Sequence, residues 1–158
     1  MNEVIRFFST KGQYGCFSNF SRHPVELDGK VWKTSEHYYQ AQKFDDPILQ
    51  EKIRNTKTPK VAAAIGRDKS LPIKQNWDAI KENVMCRVLR AKFDQNLTAR
   101  DTLLTTGDAT LIEDSPWDWY WGCGKDDTGK NRLGVLLMEL RKELCDNAVR
   151  REIDWINY

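Results

Sequence analysis

The sequence predicts an α+β domain, mainly helical, a single domain packed around a small, mostly antiparallel sheet. Three observations carry this. Two long stretches repeat apolar residues at helical spacing, Pro and Gly punctuate shorter segments as helix caps, and only a few short runs read as strands.

Val4 to Phe8 reads as a strand, ended by polar and Gly residues through Gly15. Val25 to Trp32 reads as a hairpin, because Asp28-Gly29 between alternating apolar residues suits a type I′ turn with φ > 0 at both central positions. Thr34 or Ser35 caps a helix running to Phe44. Asp46-Pro47 opens a helix from Ile48 to about Arg54, and Thr58-Pro59 opens one from Lys60 to Ile65 that Gly66 ends. Asn76 caps a longer helix to about Asn96 on the stripe Trp77, Ile80, Val84, Val88 and Ala91. Leu97 to Thr105 is a short helix stopped by Gly107. Thr110 to Glu113 is a short strand and Trp119 to Trp121 another. Asn131 starts the last long helix, through Leu144, with Leu133, Leu136, Leu137 and Leu140 on its buried side. The tail from Asp146 to Tyr158 is charged but carries Trp155 and Ile156, and is expected to dock in part.

Length fits one domain over 1–158, without repeats or a linker. A chain of this size buries roughly two-thirds of its unfolded surface and needs no staple. With 25 basic and 23 acidic residues the net charge is +2, too balanced for a general nucleic-acid binder. Cys16, Cys86, Cys123 and Cys145 have no CxxC spacing, and His23 and His37 lie far from them in sequence, so no zinc site is expected. No signal peptide and no membrane span are expected, and a reducing cytoplasm is the simplest setting. Three of six tryptophans, Trp117, Trp119 and Trp121, crowd into five residues and are expected in the core rather than lining a pocket.

Glu36, Tyr39, Gln40 and Lys43 stand at i, i+3, i+4 and i+7 and share one helix face. A carboxylate, an amide and an amine together suit a sugar site: Glu36 handles a proton, Gln40 holds hydroxyls, and Lys43 binds an anion or acts as a nucleophilic amine. The same face fits a solvated helix with a glutamate near its N-terminus. Tyr38, Tyr39, Phe44 and Trp32 around it argue for burial.

The loop from Trp121 to Gly134 is glycine-rich and leads into a helix, where backbone N–H groups can bind phosphate. Gly124 to Lys130 matches G-x-x-x-x-G-K. However, Asn131 stands where a P-loop needs Ser or Thr, and Asp126 and Asp127 would repel a phosphate. The loop is therefore either a ligand contact or plain structure. Arg67, after a helix end, caps carbonyls or reaches a ligand phosphate. Gly15 to Ser21 lines a site or merely turns. A Cys–His enzyme built on Cys123 has too few histidines to draw on.

The blocks Tyr14-Gly15-x-Phe17-Ser18-Asn19-Phe20, Asp28-Gly29-Lys30-x-Trp32-x-Thr34-Ser35-Glu36-His37-Tyr38-x-Gln40-Ala41-Gln42-Lys43-Phe44, Met85 to Phe93, Trp121-Gly122 and Gly129 to Gly134 resemble the NADAR family. The resemblance runs from about residue 5 to 144 and leaves 145–158 as a tail. It implies an N-glycosidase that cleaves phosphoribosylamino-pyrimidines of riboflavin biosynthesis and releases ribose 5-phosphate, with no metal or cofactor. Other members remove ADP-ribose from guanine in DNA. A non-catalytic ADP-ribose-binding module is a third reading, which would not need Glu36 and Lys43 together. Carried over by residue, the resemblance implies catalytic Glu36 and Lys43, with Asn19, Phe20, Gln40, Arg67, Trp121, Gly122, Asn131 and Arg132 around the substrate. Trp121 would stack on the base and Arg132 would bind phosphate. The partner is thus a small phosphorylated N-riboside, or ADP-ribosylated DNA if Lys74, Lys81, Arg87 and Arg90 form a local basic patch. The loop from Cys123 to Thr128 departs from the family's glycine-richer pattern.

Overall fold

The computed structural model describes residues 3–156, with side chains through residue 150. It forms two compact units, Asn19–Leu97 and Met1–Ser18 with Thr98–Tyr158.

The unit Asn19–Leu97 begins with a hairpin. Strand β2 (Val25–Leu27) pairs antiparallel with β3 (Lys30–Trp32), with Val25 opposite Trp32. Asp28 (φ 56°) and Gly29 (φ 71°) make the expected turn, which needs left-handed backbone at both positions. The turn is tied down by Tyr38, whose hydroxyl donates to Asp28 Oδ2 (2.9 Å), and by an Arg87–Asp28 ion pair. Trp32 packs edge-on against Tyr38, with ring centroids 5.2 Å apart.

Four helices complete this unit among the described residues: α1 (Ser35–Ala41), α2 (Pro47–Asn55), α3 (Pro59–Gly66) and α4 (Trp77–Gln95). Their starts follow the local chemistry. Thr34, Asp46 and Thr58 accept from the N–H groups of His37, Ile48 and Val61, each cap contributing about 1 kcal/mol, and Pro47 and Pro59 occupy first-turn positions that lack a helical acceptor anyway. Asn76 precedes α4 without a side-chain cap bond. Helix α1 packs against α2, α3 and α4, so all seven of its residues are buried. It is shorter than expected. Beyond Ala41 the N–H groups of Lys43 and Phe44 bond to carbonyls three residues back, a tightened turn. Phe44 is wholly buried, and its truncation to Ala should cost about 3–5 kcal/mol. In α4 the buried side is Trp77, Met85, Val88, Leu89, Lys92 and Phe93, so the expected stripe shifts by a residue toward its C-terminal half.

The other unit holds β1 (Val4–Phe7) and β4 (Thr110–Glu113), paired in parallel with Val4 opposite Thr110. It also holds a 3₁₀ turn (Gly15–Phe17), most of α5 (Leu97–Thr105) and α6 (Arg132–Ile156). Helix α6 covers β4, and Ile5, Phe7, Phe17, Leu103, Leu111, Leu133 and Leu137 form the core, with Phe7 edge-on to Phe17 at 5.5 Å. The α+β class is as expected. Its strands form two separate pairs, one antiparallel and one parallel.

Three expectations are corrected here. Trp119 to Trp121 is not a strand, because the Asp118 side chain takes the N–H groups of both Tyr120 (2.9 Å) and Trp121 (2.7 Å) and folds the segment into a turn. Trp117 and Trp119 are not core; they are 80% and 52% exposed. Helix α6 does not stop near Leu144, since no Gly or Pro follows to break it. The expected docking of Trp155 and Ile156 concerns side chains outside the described residues. No described helix is long and apolar enough to cross a membrane.

Candidate active site

The α1 face assembles as its spacing requires. Glu36 is 6% exposed and Gln40, one turn on, is 3% exposed. Gln40 Nε2 donates to Glu36 Oε1 at 2.6 Å, a short bond to a carboxylate. The amide's other end, Oε1, is buried without a hydrogen-bonding partner among the described residues. A buried acceptor in that state is costly and draws attention to the site.

Lys43 follows on the same face. Its Nζ donates to the Gly66 carbonyl at the end of α3 (3.1 Å) and lies 5.6 Å from the centroid of the Tyr39 ring and 5.9 Å from that of Trp77. Those two rings meet edge to face at 5.1 Å and form an aromatic wall behind the amine. Burial pushes the Lys43 pKa below its ordinary value. The Glu36 carboxylate pulls it back up, and Arg67 and Lys81 push it down again. The site therefore holds a desolvated amine with a larger free-base fraction than a surface lysine, a carboxylate close enough to act on it, and two further cations nearby.

The scaffold behind the start of α1 is buried and hydrogen-bonded to it. The Asn19 carbonyl accepts from the Glu36 N–H (3.1 Å), and its Oδ1 accepts from the Ser35 hydroxyl (2.9 Å). Asn19 Nδ2 contacts Met85 Sδ at 3.4 Å. Asn19 thus braces the start of α1, and its geometry is that of a clamp on the residue carrying Glu36. His37 points to the other side. Its Nε2 faces the Thr56 carbonyl (3.3 Å), which can only accept, so the proton is on Nε2 and Nδ1 accepts from Thr34 Oγ1 (2.8 Å). Burial holds this neutral ring's pKa below the usual histidine value. Phe20 is half-buried and Arg67 exposed.

Four expected site residues lie in the other compact unit. Trp121 is half-buried, with its ring edge-on to Tyr120 at 5.1 Å. Gly122 is required by space: a Cβ there would stand 2.7 Å from the Ser115 side chain and 3.0 Å from the Asp118 carbonyl. Asn131, at φ 47°, is a strand bracket. Its Oδ1 accepts from the Glu113 N–H (2.9 Å) and its Nδ2 donates to the Leu111 carbonyl (2.8 Å). Both ends of its amide serve β4 rather than standing open to a substrate. Arg132 opens α6 and is half-buried.

In the same loop, Asp114, Cys123 and Asp127 bring ligand-type atoms within 4.8 Å of one another. The positive charge among them is Arg6, which donates to Asp114 Oδ1 and Asp127 Oδ2, each at 2.8 Å. Burial raises the Cys123 thiol pKa, and bonds to Asp127 and Asp114 raise it further, which keeps it protonated and poorly nucleophilic.

The sequence marks Trp77 and Gly66 as no part of a site, and Lys81 only as a member of a surface basic patch. Trp77 reads as one member of an apolar stripe and Gly66 as a helix stop. Their closeness to Lys43 spans more than twenty residues, so no local spacing announces it.

A model of the NADAR domain matches residues 6–145, through both units. The chain is similar to the N-glycosidase YbiA of Escherichia coli K12, 53% identical over 142 residues that cover 90% of this chain and 89% of that protein. It is similar to a riboflavin biosynthesis protein of Vibrio vulnificus, 38% identical over 99% of this chain and 43% of that longer protein. Its backbone matches the NMR structure of E. coli YbiA with a TM-score of 0.87 at 51% identity, covering 94% of this chain and 89% of that one. The chain therefore belongs to the NADAR family, and its class is that of a hydrolase acting on N-glycosyl compounds.

Proposed function

We propose that this N-glycosidase cleaves the bond between C1 of a 5-phosphorylated ribose and the amino nitrogen of a pyrimidine, as in early riboflavin intermediates, and releases ribose 5-phosphate. The observation that carries the reading is the grouping of buried Glu36 and Gln40 on α1, bonded to each other, with the half-buried Lys43 amine just beyond its end. The name of the Vibrio vulnificus relative supports the substrate class.

In the reaction, Glu36 gives a proton to the ring oxygen, the sugar ring opens and C1 is held as a protonated imine to the pyrimidine nitrogen. The Lys43 amine adds to C1. Glu36 takes the proton released from the attacking nitrogen and returns it to the pyrimidine nitrogen, and the C1–N bond to the pyrimidine breaks. Lys43 is left joined to C1 as an imine. Water, deprotonated by Glu36, adds to C1, and the amine departs to leave the aldehyde of ribose 5-phosphate. The net change is substrate plus water to sugar phosphate plus aminopyrimidine. Arg67 supplies positive charge for the phosphate.

ADP-ribosylated DNA is the weaker substrate on charge grounds. Lys74 faces Asp45 (3.7 Å), Lys81 faces Asp78 (2.8 Å) and Arg87 pairs with Asp28, so much of the basic patch is already neutralised. The deciding experiment incubates purified protein with a phosphoribosylamino-pyrimidine and, separately, with ADP-ribosylated single-stranded DNA. Mass analysis should find ribose 5-phosphate from the first at the higher rate. Faster release of ADP-ribose from DNA would overturn the substrate assignment.

A further inference from the structure

One residue in the site has no chemistry of its own, yet two functional side chains lean on it. Gly66 ends α3. Its carbonyl accepts from Lys43 Nζ at 3.1 Å. The Gln40 amide lies against its α-carbon: a Cβ at position 66 would stand 2.7 Å from Gln40 Cδ, 3.0 Å from Gln40 Cβ, and nearer still to Oε1. That oxygen is the buried acceptor without a hydrogen-bonding partner, so it faces a Cα–H group, a weak contact. Among the described residues the amide's hydrogen bond is the one to Glu36, and it fits against residue 66 because no side chain stands there.

The backbone does not explain a glycine here. Gly66 is absent from the positive-φ glycines, so an alanine fits its φ and ψ, and alanine is the better helix former. What glycine provides is room. The obstacle to a larger residue is the Gln40 side chain: its amide can swing aside only by leaving Glu36, while its Cβ, 3.0 Å away and fixed to α1, must give by a few tenths of an ångström.

We infer that Gly66 is a positioning residue for the reaction: the gap it leaves seats the Gln40 amide that aims Glu36, and its carbonyl seats the Lys43 amine. The inference rests on Glu36 and Lys43 doing the chemistry proposed above. A methyl group at residue 66 would push the amide off Glu36 and, through the displaced amide, disturb the Lys43 amine beside it, without touching the substrate directly. It therefore lowers kcat far more than it raises KM, since a misplacement of about 1 Å costs on the order of 10²-fold.

The test uses Gly66→Ala, Gln40→Ala and the double variant, each checked by circular dichroism and thermal melting. Gly66→Ala should stay folded, with a melting temperature at or modestly below the parent's, kcat down on the order of 10²-fold and KM little changed. The double variant should be no slower than Gln40→Ala alone, because the methyl then has no amide to displace. Parental kcat in Gly66→Ala, or losses that simply multiply in the double variant, would overturn the inference. A second readout needs no turnover: acylation of Lys43 by an amine-reactive probe across pH, mapped by mass spectrometry. Gly66→Ala should move the midpoint upward as the amine gains solvent. An unmoved midpoint overturns the inference whatever the activity. A moved midpoint in a protein that cleaves no N-riboside upholds the positioning geometry and removes the reaction assigned to it.

Discussion

The α1 face and the loop from Trp121 to Gly134 are both dense in polar side chains, but they use them in opposite ways. In the loop, polar groups close on one another and on the backbone. Asp118 holds two N–H groups, Asn131 brackets β4, and Arg6 joins Asp114 to Asp127. On α1 and in the turn that follows it, polar groups are buried or half-buried and incompletely satisfied: an amide oxygen without a hydrogen-bonding partner among the described residues, and an amine whose partial burial works against its charge. Self-satisfied polar groups make architecture. Buried, under-satisfied ones with perturbed proton affinity mark chemistry.

Substitutions can break this contrast. The largest effect is expected at Lys43. Lys43→Met should lower kcat on the order of 10³-fold, the scale of losing a group that handles charge or protons in the transition state. Lys43→Arg should not restore it, because a guanidinium forms no imine with an aldehyde. Borohydride added during turnover should leave a reduced pentose phosphate on Lys43, visible by mass. Full activity in Lys43→Arg would reduce the residue to a phosphate anchor.

The loop should answer in stability instead. Asn131→Ala removes both bonds to β4 and should cost about 1–3 kcal/mol while leaving KM unchanged. Urea titration together with substrate saturation curves checks this, and a raised KM at unchanged stability would return Asn131 to the substrate. Gly134→Ala should be at least as damaging, since its methyl would meet the Leu111 carbonyl and the Asn131 amide.

A smaller effect comes from pH. His37 has its pKa lowered below 6.5, chiefly by burial and against the pull of the Thr56 carbonyl, and His23 shifts the same way, chiefly by burial. A folded pKa below the unfolded one means the unfolded chain takes up protons first as pH falls. This stability is therefore present above pH 6.5 and lost below it. The melting temperature should drop as pH falls through 6.5, with a shallower slope in His37→Asn. An identical slope would place the titrating group elsewhere. At the bottom of the scale, Trp117→Ala should change stability by no more than about 0.5 kcal/mol, because that ring is 80% exposed.

What could be read from sequence was what is local. Asp28-Gly29, Asp46-Pro47 and Thr58-Pro59 each carry their geometry within two or three residues, and all three behave as their chemistry requires. The Glu36–Gln40 pair follows from helical period, whereas Lys43 reaches the site from the tightened turn after Ala41. Legibility ends where partners are distant. The parallel pairing of β1 with β4 joins residues more than a hundred apart, and no nearby turn announces it. Asp118 overrides the strand propensity of Trp119 to Trp121 through side-chain bonds that propensity does not count. Gly66 looks like a helix stop until the fold sets it against Gln40.

The account stands or falls on Glu36. The direct measurement is kcat and KM of Glu36→Gln on a phosphoribosylamino-pyrimidine, beside circular dichroism and melting of the same sample. The account predicts a parental spectrum and a kcat lower by about 10²–10⁴-fold, the range for a lost acid–base group. A folded Glu36→Gln protein that turns over at the parental rate would contradict it.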